Sequence, residues 1–235
     1  NSSLGEMLSN LTKLGINVPG GFAITSSAFN EFISSSKIDE AISAELANLN
    51  VENLSDLRRA GKRLRGLILK TPLPQNLISE IQQAWLDVSE SGKSFAVRSS
   101  ATAEDLPDAS FAGQQETFLN INGFDNLIDA VRKVYASLFT DRAISYRRLR
   151  NFKGSLSIYV GVQEMVRSDI GASGVAFTLD TESGYRGSIF ITSSYGLGEG
   201  IVQGTVNPDE FYVFKEALKK NNFPIIKKSL GEKAK

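Results

Sequence analysis

Arg98 closes an apolar run of Phe95, Ala96 and Val97. Small, hydroxylated and acidic residues follow, until a second apolar run opens at Thr117, Phe118 and Leu119. A planar guanidinium holds a phosphate through two parallel hydrogen bonds, which an ammonium group cannot do. A loop of small residues between two strands lets backbone N–H groups come close to a charged ligand. Arginine and loop together point to a phosphorylated ligand. Glu104, Asp105, Asp108 and Glu116 crowd the same loop. They either offer oxygen ligands to Mg²⁺ or simply keep the loop soluble.

Two further stretches have chemistry in reach. Gln163, Glu164, Met165 and Val166 end an apolar run with two polar side chains, a thioether and a branched aliphatic group. That combination suits an adenine, which needs flat apolar walls and a few amide or backbone partners; it equally suits a strand running out into solvent. Gly196-Leu-Gly-Glu-Gly200 either lets backbone approach a phosphate or satisfies a tight turn that needs positive φ. No Gly-Lys-Ser/Thr follows it, so it is not a P-loop, and its spacing is not that of the dinucleotide fingerprint.

Composition removes several classes. The chain has no histidine and no cysteine, so an imidazole base, a phosphohistidine, a thiolate nucleophile and a disulfide are all excluded within it. Lysine plus arginine and aspartate plus glutamate stand at 26 each. That balance gives no field to draw nucleic acid or an anionic membrane. No signal peptide or apolar run of membrane-spanning length occurs, and a cytoplasmic protein is expected. With 235 residues, 41% of them hydrophobic, there is material for one large domain or two lobes.

Helical periodicity dominates the first half. Ser3 and Glu6 read as a capping box ahead of Leu4, Met7, Leu8, Leu11 and Leu14 on one face, with Gly15 as the stop. Val18 to Ile24 turns into a short strand, and Thr25 or Ser26 caps a helix carrying Phe29, Phe32 and Ile33. Residues 38 to 48 should be helical. A longer helix starts near Ser55, with Leu54, Leu57, Leu64, Leu67 and Ile68 inward and Arg58, Arg59, Lys62, Arg63 and Arg65 outward. Pro72 and Pro74 end it. Leu77, Ile78, Ile81, Trp85 and Val88 mark the next helix, with Trp85 in the core. After Asn120, Asp125 caps a helix burying Leu127, Val131, Val134 and Leu138. Asp141 caps another that ends near Arg150, with Arg142, Arg147, Arg148 and Arg150 on the surface. The second half turns to strands: Leu156 to Val162, Gly174 to Leu179, Ser188 to Ser194 and Glu210 to Phe214, with a last short one near Phe223 to Ile226 in a lysine-rich end.

The central stretch, Phe95-Ala-Val-Arg-Ser-Ser-Ala-Thr-Ala-Glu-Asp-Leu-Pro-Asp-Ala-Ser-Phe-Ala-Gly-Gln-Gln-Glu-Thr117, resembles the nucleotide-binding signature of the pyruvate, phosphate dikinase and phosphoenolpyruvate synthase family. Asn1-Ser-Ser-Leu-Gly-Glu-Met-Leu8 is similar to the segment after that family's Gly-Gly-Lys. Asp141-Arg-Ala-Ile-Ser-Tyr-Arg147, Met165-Val-Arg-Ser-Asp169, Gly174-Val-Ala-Phe-Thr178, Asp180-Thr-Glu-Ser-Gly184, Gly196-Leu-Gly-Glu199 and Val202-Gln-Gly-Thr-Val-Asn-Pro-Asp-Glu-Phe-Tyr-Val213 follow in the family's order.

The resemblance implies an α+β fold of the ATP-grasp type, with a helical amino-terminal part and a mainly antiparallel second half. Its two lobes are expected at 1–120 and 121–235. It implies ATP and Mg²⁺ as cofactors, and phosphoryl transfer to a histidine on a separate domain that then meets pyruvate. By position, Arg98 resembles the phosphate-gripping arginine, the residue closest to the chemistry. Gly113 and Thr117 resemble the phosphate-covering loop, and Gln163, Glu164, Met165 and Val166 the adenine segment. The family's lysine is expected just before Asn1, and its metal-holding Glu and Gln beyond Lys235. The chain is therefore expected to be a truncated ATP-binding module, partnered by phosphohistidine and pyruvate-binding domains of the same polypeptide, with little turnover alone. Met165-Val-Arg-Ser-Asp169 and Val206-Asn-Pro-Asp-Glu-Phe211 favour the synthase branch over the related rifampicin-type antibiotic phosphotransferases. A free-standing module without catalysis is the other alternative.

Overall fold

The computed structural model describes residues 2–90, 92–101, 105–106, 109–110, 116–149 and 158–232. Contacts divide the chain into two compact units, Asn1–Met165 and Val166–Lys235.

The first unit opens with helix α1 (Ser2–Leu11), continued by a short 3-10 turn over Thr12–Leu14. Gly15 closes it at φ 79°, a left-handed position that glycine adopts without penalty. Strand β1 (Gly21–Ile24) and helices α2 (Ser26–Ser35), α3 (Asp39–Ala47), α4 (Leu54–Lys70) and α5 (Gln75–Val88) follow. Next come β2 (Phe95–Ala101), a small hairpin of β3 (Asp105–Leu106) and β4 (Ala109–Ser110), β5 (Thr117–Ile121), α6 (Phe124–Ser137), α7 (Asp141–Leu149) and β6 (Ile158–Glu164). The larger sheet runs β1-β6-β2-β5, and every neighbouring pair in it is antiparallel. Strand β5 pairs with β2 and β2 with β6, so the contacts keep residues on both sides of position 120 in one unit, and the division falls at Met165/Val166.

Strand alternation sorts this sheet into two faces. Phe95, Val97, Ile158, Val160 and Val162 are buried against Phe29, Phe32, Leu64, Ile68, Trp85, Leu127, Val131 and Tyr135 of the helices. The intervening residues, among them Ala96, Arg98, Gly161 and Gln163, lie on the other face. Helix α4 shows how locally the helices are specified. Asn53 caps it by accepting hydrogen bonds from the N–H groups of Ser55 and Asp56, and Leu57, Ala60, Gly61, Leu64 and Ile68 form its buried stripe.

Several local expectations are corrected. Leu54 is exposed, because the first position of α4 extends past the packed layer. The cap of α6 is Gly123, at φ 80°, and Asp125 sits inside the first turn. Met7, Leu8 and Leu14 remain exposed, so the apolar face of α1 is not closed over by the described residues of its own unit. Arg147 is not a surface residue: burial pushes the pKa of its guanidinium down to about 10, and its Nη2 has no hydrogen-bond partner among the described residues.

The second unit holds a 3-10 turn (Ser168–Ile170), β7 (Ala172–Phe177), β8 (Ser188–Tyr195), α8 (Glu199–Val202), β9 (Asp209–Phe214), α9 (Lys215–Lys219) and β10 (Ile225–Ser229). Its antiparallel sheet runs β10-β9-β8-β7. The lysine-rich end therefore includes a helix that its composition did not suggest. The Lys215 ammonium at the start of α9 donates to the carbonyls of Thr178 at 2.5 Å and Arg186 at 2.6 Å. Phe177, Phe190 and Tyr212 form an aromatic row across this sheet, with centroid spacings of 6.3 and 4.8 Å. The chain is thus α+β, with its helices concentrated in the first unit and a mainly antiparallel second half.

Candidate functional site

Arg98 stands in the middle of the first sheet, in register with Gly161 of β6 on one side and Thr117 of β5 on the other. Gly161 is in turn opposite Ala23 of β1. Directly opposed residues share a face, so Ala23, Gly161, Arg98 and Thr117 form one row across the sheet. The neighbouring row holds Gly21, Gln163 and Ala96. In these two rows Arg98 and Gln163 are the long side chains, surrounded by glycine, alanine and threonine. Arg98 is exposed and Gln163 half-buried. The arrangement leaves a guanidinium standing over nearly bare backbone, which is what close approach of a charged group requires.

An open cavity of about 190 Å³ lies along β1 beside these rows. Its lining includes Leu4 and Leu8 of α1, Pro19, Phe22, Gly161 and Gln163. Leu4 and Leu8 of α1 thus form one wall of a recess whose floor is the glycine-rich part of the sheet.

Gln163 uses both ends of its amide. Its Nε2 donates to the Pro19 carbonyl at 3.3 Å, and its Oε1 accepts from Arg98 Nη1 at 3.3 Å. Glu164 is held through its backbone, whose N–H donates to Gly20 O at 2.9 Å, and through its carboxylate, 3.2 Å from Lys93 Nζ. Lys93 also lies 3.2 Å from Glu90. The hydrogen bond to Glu164, then that to Glu90, raises the Lys93 ammonium above its ordinary pKa. Met165 donates its N–H to Ser94 O at 2.9 Å, and its Sδ accepts from the N–H of Asn120 at 3.0 Å. Asn120 sits at φ 57°, a left-handed position that asparagine tolerates better than most residues. Val166 is exposed and begins the second unit.

Arg98, Thr117 and Gln163 thus share one face of the sheet, and Glu164 and Met165 continue β6 at its end. Gly113 lies outside the described residues, as do Glu104 and Asp108. Among the described residues no cluster of acidic residues fit to hold a metal ion occurs, and no helix is long and apolar enough to cross a membrane. In the glycine-rich turn, Gly196 takes φ 79° and its carbonyl accepts from Ser173 Oγ at 2.7 Å. The tight-turn requirement is met there, and the helix that follows has four residues, too short to build a developed dipole. The parts that sequence reasoning missed are Lys93 and the Pro19 carbonyl. A lone loop lysine and a backbone oxygen leave no pattern in residue types.

The structure defines an α+β chain whose first sheet presents an arginine, braced by a glutamine, over a floor of small residues. The chain belongs to the family described as pyruvate phosphate dikinase, AMP/ATP-binding domain, whose profile matches residues 1–235. It is 58% identical to a phosphoenolpyruvate synthase of Neisseria meningitidis over 99% of this chain and 30% of that protein. It is 52% identical to one of Pseudomonas aeruginosa over 100% of this chain and 30% of that protein. It is 50% identical to the phosphoenolpyruvate synthase of Escherichia coli, again over 99% of this chain and 30% of that protein. The chain therefore spans under a third of the length of these relatives.

Proposed function

We propose that the chain is the ATP-binding part of a phosphoenolpyruvate synthase, which makes phosphoenolpyruvate, AMP and phosphate from ATP, pyruvate and water. The observation that carries this reading is its 58% identity to a synthase over 99% of the chain. The architecture that goes with it is an ATP-grasp fold. Arg98 neutralises the phosphates, and Gly113 and Thr117 belong to the loop that covers them. Gln163, Glu164, Met165 and Val166 form the adenine segment, where the Met165 and Val166 side chains provide the apolar wall.

Phosphoryl transfer needs positioning and charge neutralisation more than covalent help from the protein, so one guanidinium over exposed backbone is chemically apt. The chain contains no histidine. In this reading the phosphoryl acceptor is a histidine on another domain of the same polypeptide, which carries the group on to pyruvate. Magnesium accompanies the nucleotide and takes its protein ligands from outside this chain. Cytoplasmic location fits such an activity.

The test is an assay of the full-length polypeptide with ATP and either pyruvate or rifampicin. Phosphoenolpyruvate and AMP are expected from the first. Phosphorylation of rifampicin without consumption of pyruvate would overturn the reading, and ATP binding with neither acceptor used would make the chain a non-catalytic module.

A further inference from the structure

We infer that Gln163 is a positioning residue for Arg98, aiming its guanidinium at the phosphates, and that its amide does not read the adenine. The inference rests on Arg98 being the phosphate grip. The amide is engaged at both ends by the protein itself: Oε1 accepts from Arg98 Nη1 at 3.3 Å, and Nε2 donates to Pro19 O at 3.3 Å. A side-chain amide held in this way has its oxygen fixed by the donor contact on the other side, so the orientation of the amide follows from the network.

The sheet register makes the contact possible. Arg98 lies opposite Gly161, and Gln163 is the next residue along β6 on that face. Because Gly161 has no side chain, nothing stands between the two long side chains on the diagonal. The far end of the bracket is fixed by backbone. Glu164 N–H donates to Gly20 O at 2.9 Å, so the Pro19–Gly20 segment is tied to the end of the same strand that carries Gln163. An exposed arginine otherwise has many rotamers, and ordering it on ligand binding costs free energy. A partner already bonded to Nη1 reduces that cost while leaving the remaining N–H groups of the fork for a ligand.

The experiment uses the full-length polypeptide and compares Gln163→Met, Arg98→Met and the double variant by calorimetric titration. The probes are Mg-ATP, Mg-tripolyphosphate and adenosine. Gln163→Met is expected to weaken ATP and tripolyphosphate by the same factor, about fivefold, and to leave adenosine unchanged. In the Arg98→Met background the same change should have almost no effect, because the two residues act as a unit. Unchanged adenosine binding also reports that the variant is folded. If Gln163→Met weakens ATP and adenosine but not tripolyphosphate, or if the two substitutions add independently, the inference is wrong while Arg98 keeps its role. If Arg98→Met alone leaves tripolyphosphate binding unchanged, the phosphate-grip reading itself fails.

Discussion

Gly21 of β1 faces Gln163 of β6 so closely that a Cβ placed on Gly21 would lie 2.0 Å from Val162 O and 2.9 Å from Gln163 Cα. The obstructing atoms are backbone, so no rotamer change relieves the contact. Gly21 also sits at φ 153°, where L side chains are strained. Gly21→Ala is therefore expected to destabilise the first unit by about 2 to 4 kcal/mol. It should also displace Gln163 and weaken ATP binding. Denaturant titration and ATP titration of the same variant check the two effects, and unchanged values in both would show that β1 and β6 can separate freely.

Arg98→Met should lower the affinity of the full-length polypeptide for Mg-ATP by roughly tenfold, since a charge-assisted hydrogen bond is worth about 1.5 to 3 kcal/mol and solvent around this exposed side chain favours the lower end. Stability should change little, because the side chain is exposed. Arg98→Lys should recover only part of the loss, because an ammonium cannot form the paired hydrogen bonds. Isothermal titration measures the first effect and thermal melting the second.

Tyr135 is fully buried among Phe29 and Phe32, at ring-centroid distances of 5.0 and 5.7 Å, and its hydroxyl has no hydrogen-bond partner among the described residues. Burial raises its pKa well above the ordinary tyrosine value of 10.0. An acid whose folded pKa is raised stays protonated in the folded chain while the unfolded chain ionises, so stability is lost as pH climbs above 10. Tyr135→Phe should keep the packing and remove a stranded hydroxyl, stabilising the protein by about 1 kcal/mol at neutral pH. It should also flatten the fall in stability on the alkaline side. Melts across pH 7 to about 11 test both parts, and a destabilised Phe variant would mean that the hydroxyl has a partner in solution.

Lys93 holds Glu164 at the end of β6, and its ammonium is raised above the ordinary 10.5 by that contact and by Glu90. A cation with a raised folded pKa stabilises at pH values below its unfolded value and stops doing so as pH passes the folded one. Lys93→Met should therefore melt earlier than the parent at pH 7, with the gap closing above the lysine range. Hydrogen exchange at the amides of Glu164 and Met165 should quicken in the variant. An unchanged gap at high pH would place the effect in the lysine stem rather than its charge.

Much of the fold could be read from residue order because its determinants are local. The stripe Leu57, Leu64 and Ile68 on α4, the stop at Gly15 and the β-branched and aromatic runs of β6, β8 and β9 each follow from residue types within one element. The reading failed where the deciding partner is remote. Arg147 looks like any other member of an arginine-rich helix end, yet its guanidinium is buried. Leu54 fits the α4 pattern, yet it stays exposed, uncovered by the described residues. The short α9 was missed because Lys215 is satisfied by carbonyls at positions 178 and 186, contacts that a five-residue segment does not announce.

Residue types alone singled out an arginine beside a run of small residues as the candidate to meet an anion, and determined that no histidine here could accept a phosphoryl group. Only the tertiary structure decided which groups stand around that arginine. Gln163, Gly161 and Pro19 lie 65, 63 and 79 positions away from Arg98 in sequence order, and strand register, not proximity along the chain, brings them to one face. Register is a pairing property of separate strands, set by which faces bury their apolar residues. No single stretch of sequence carries it.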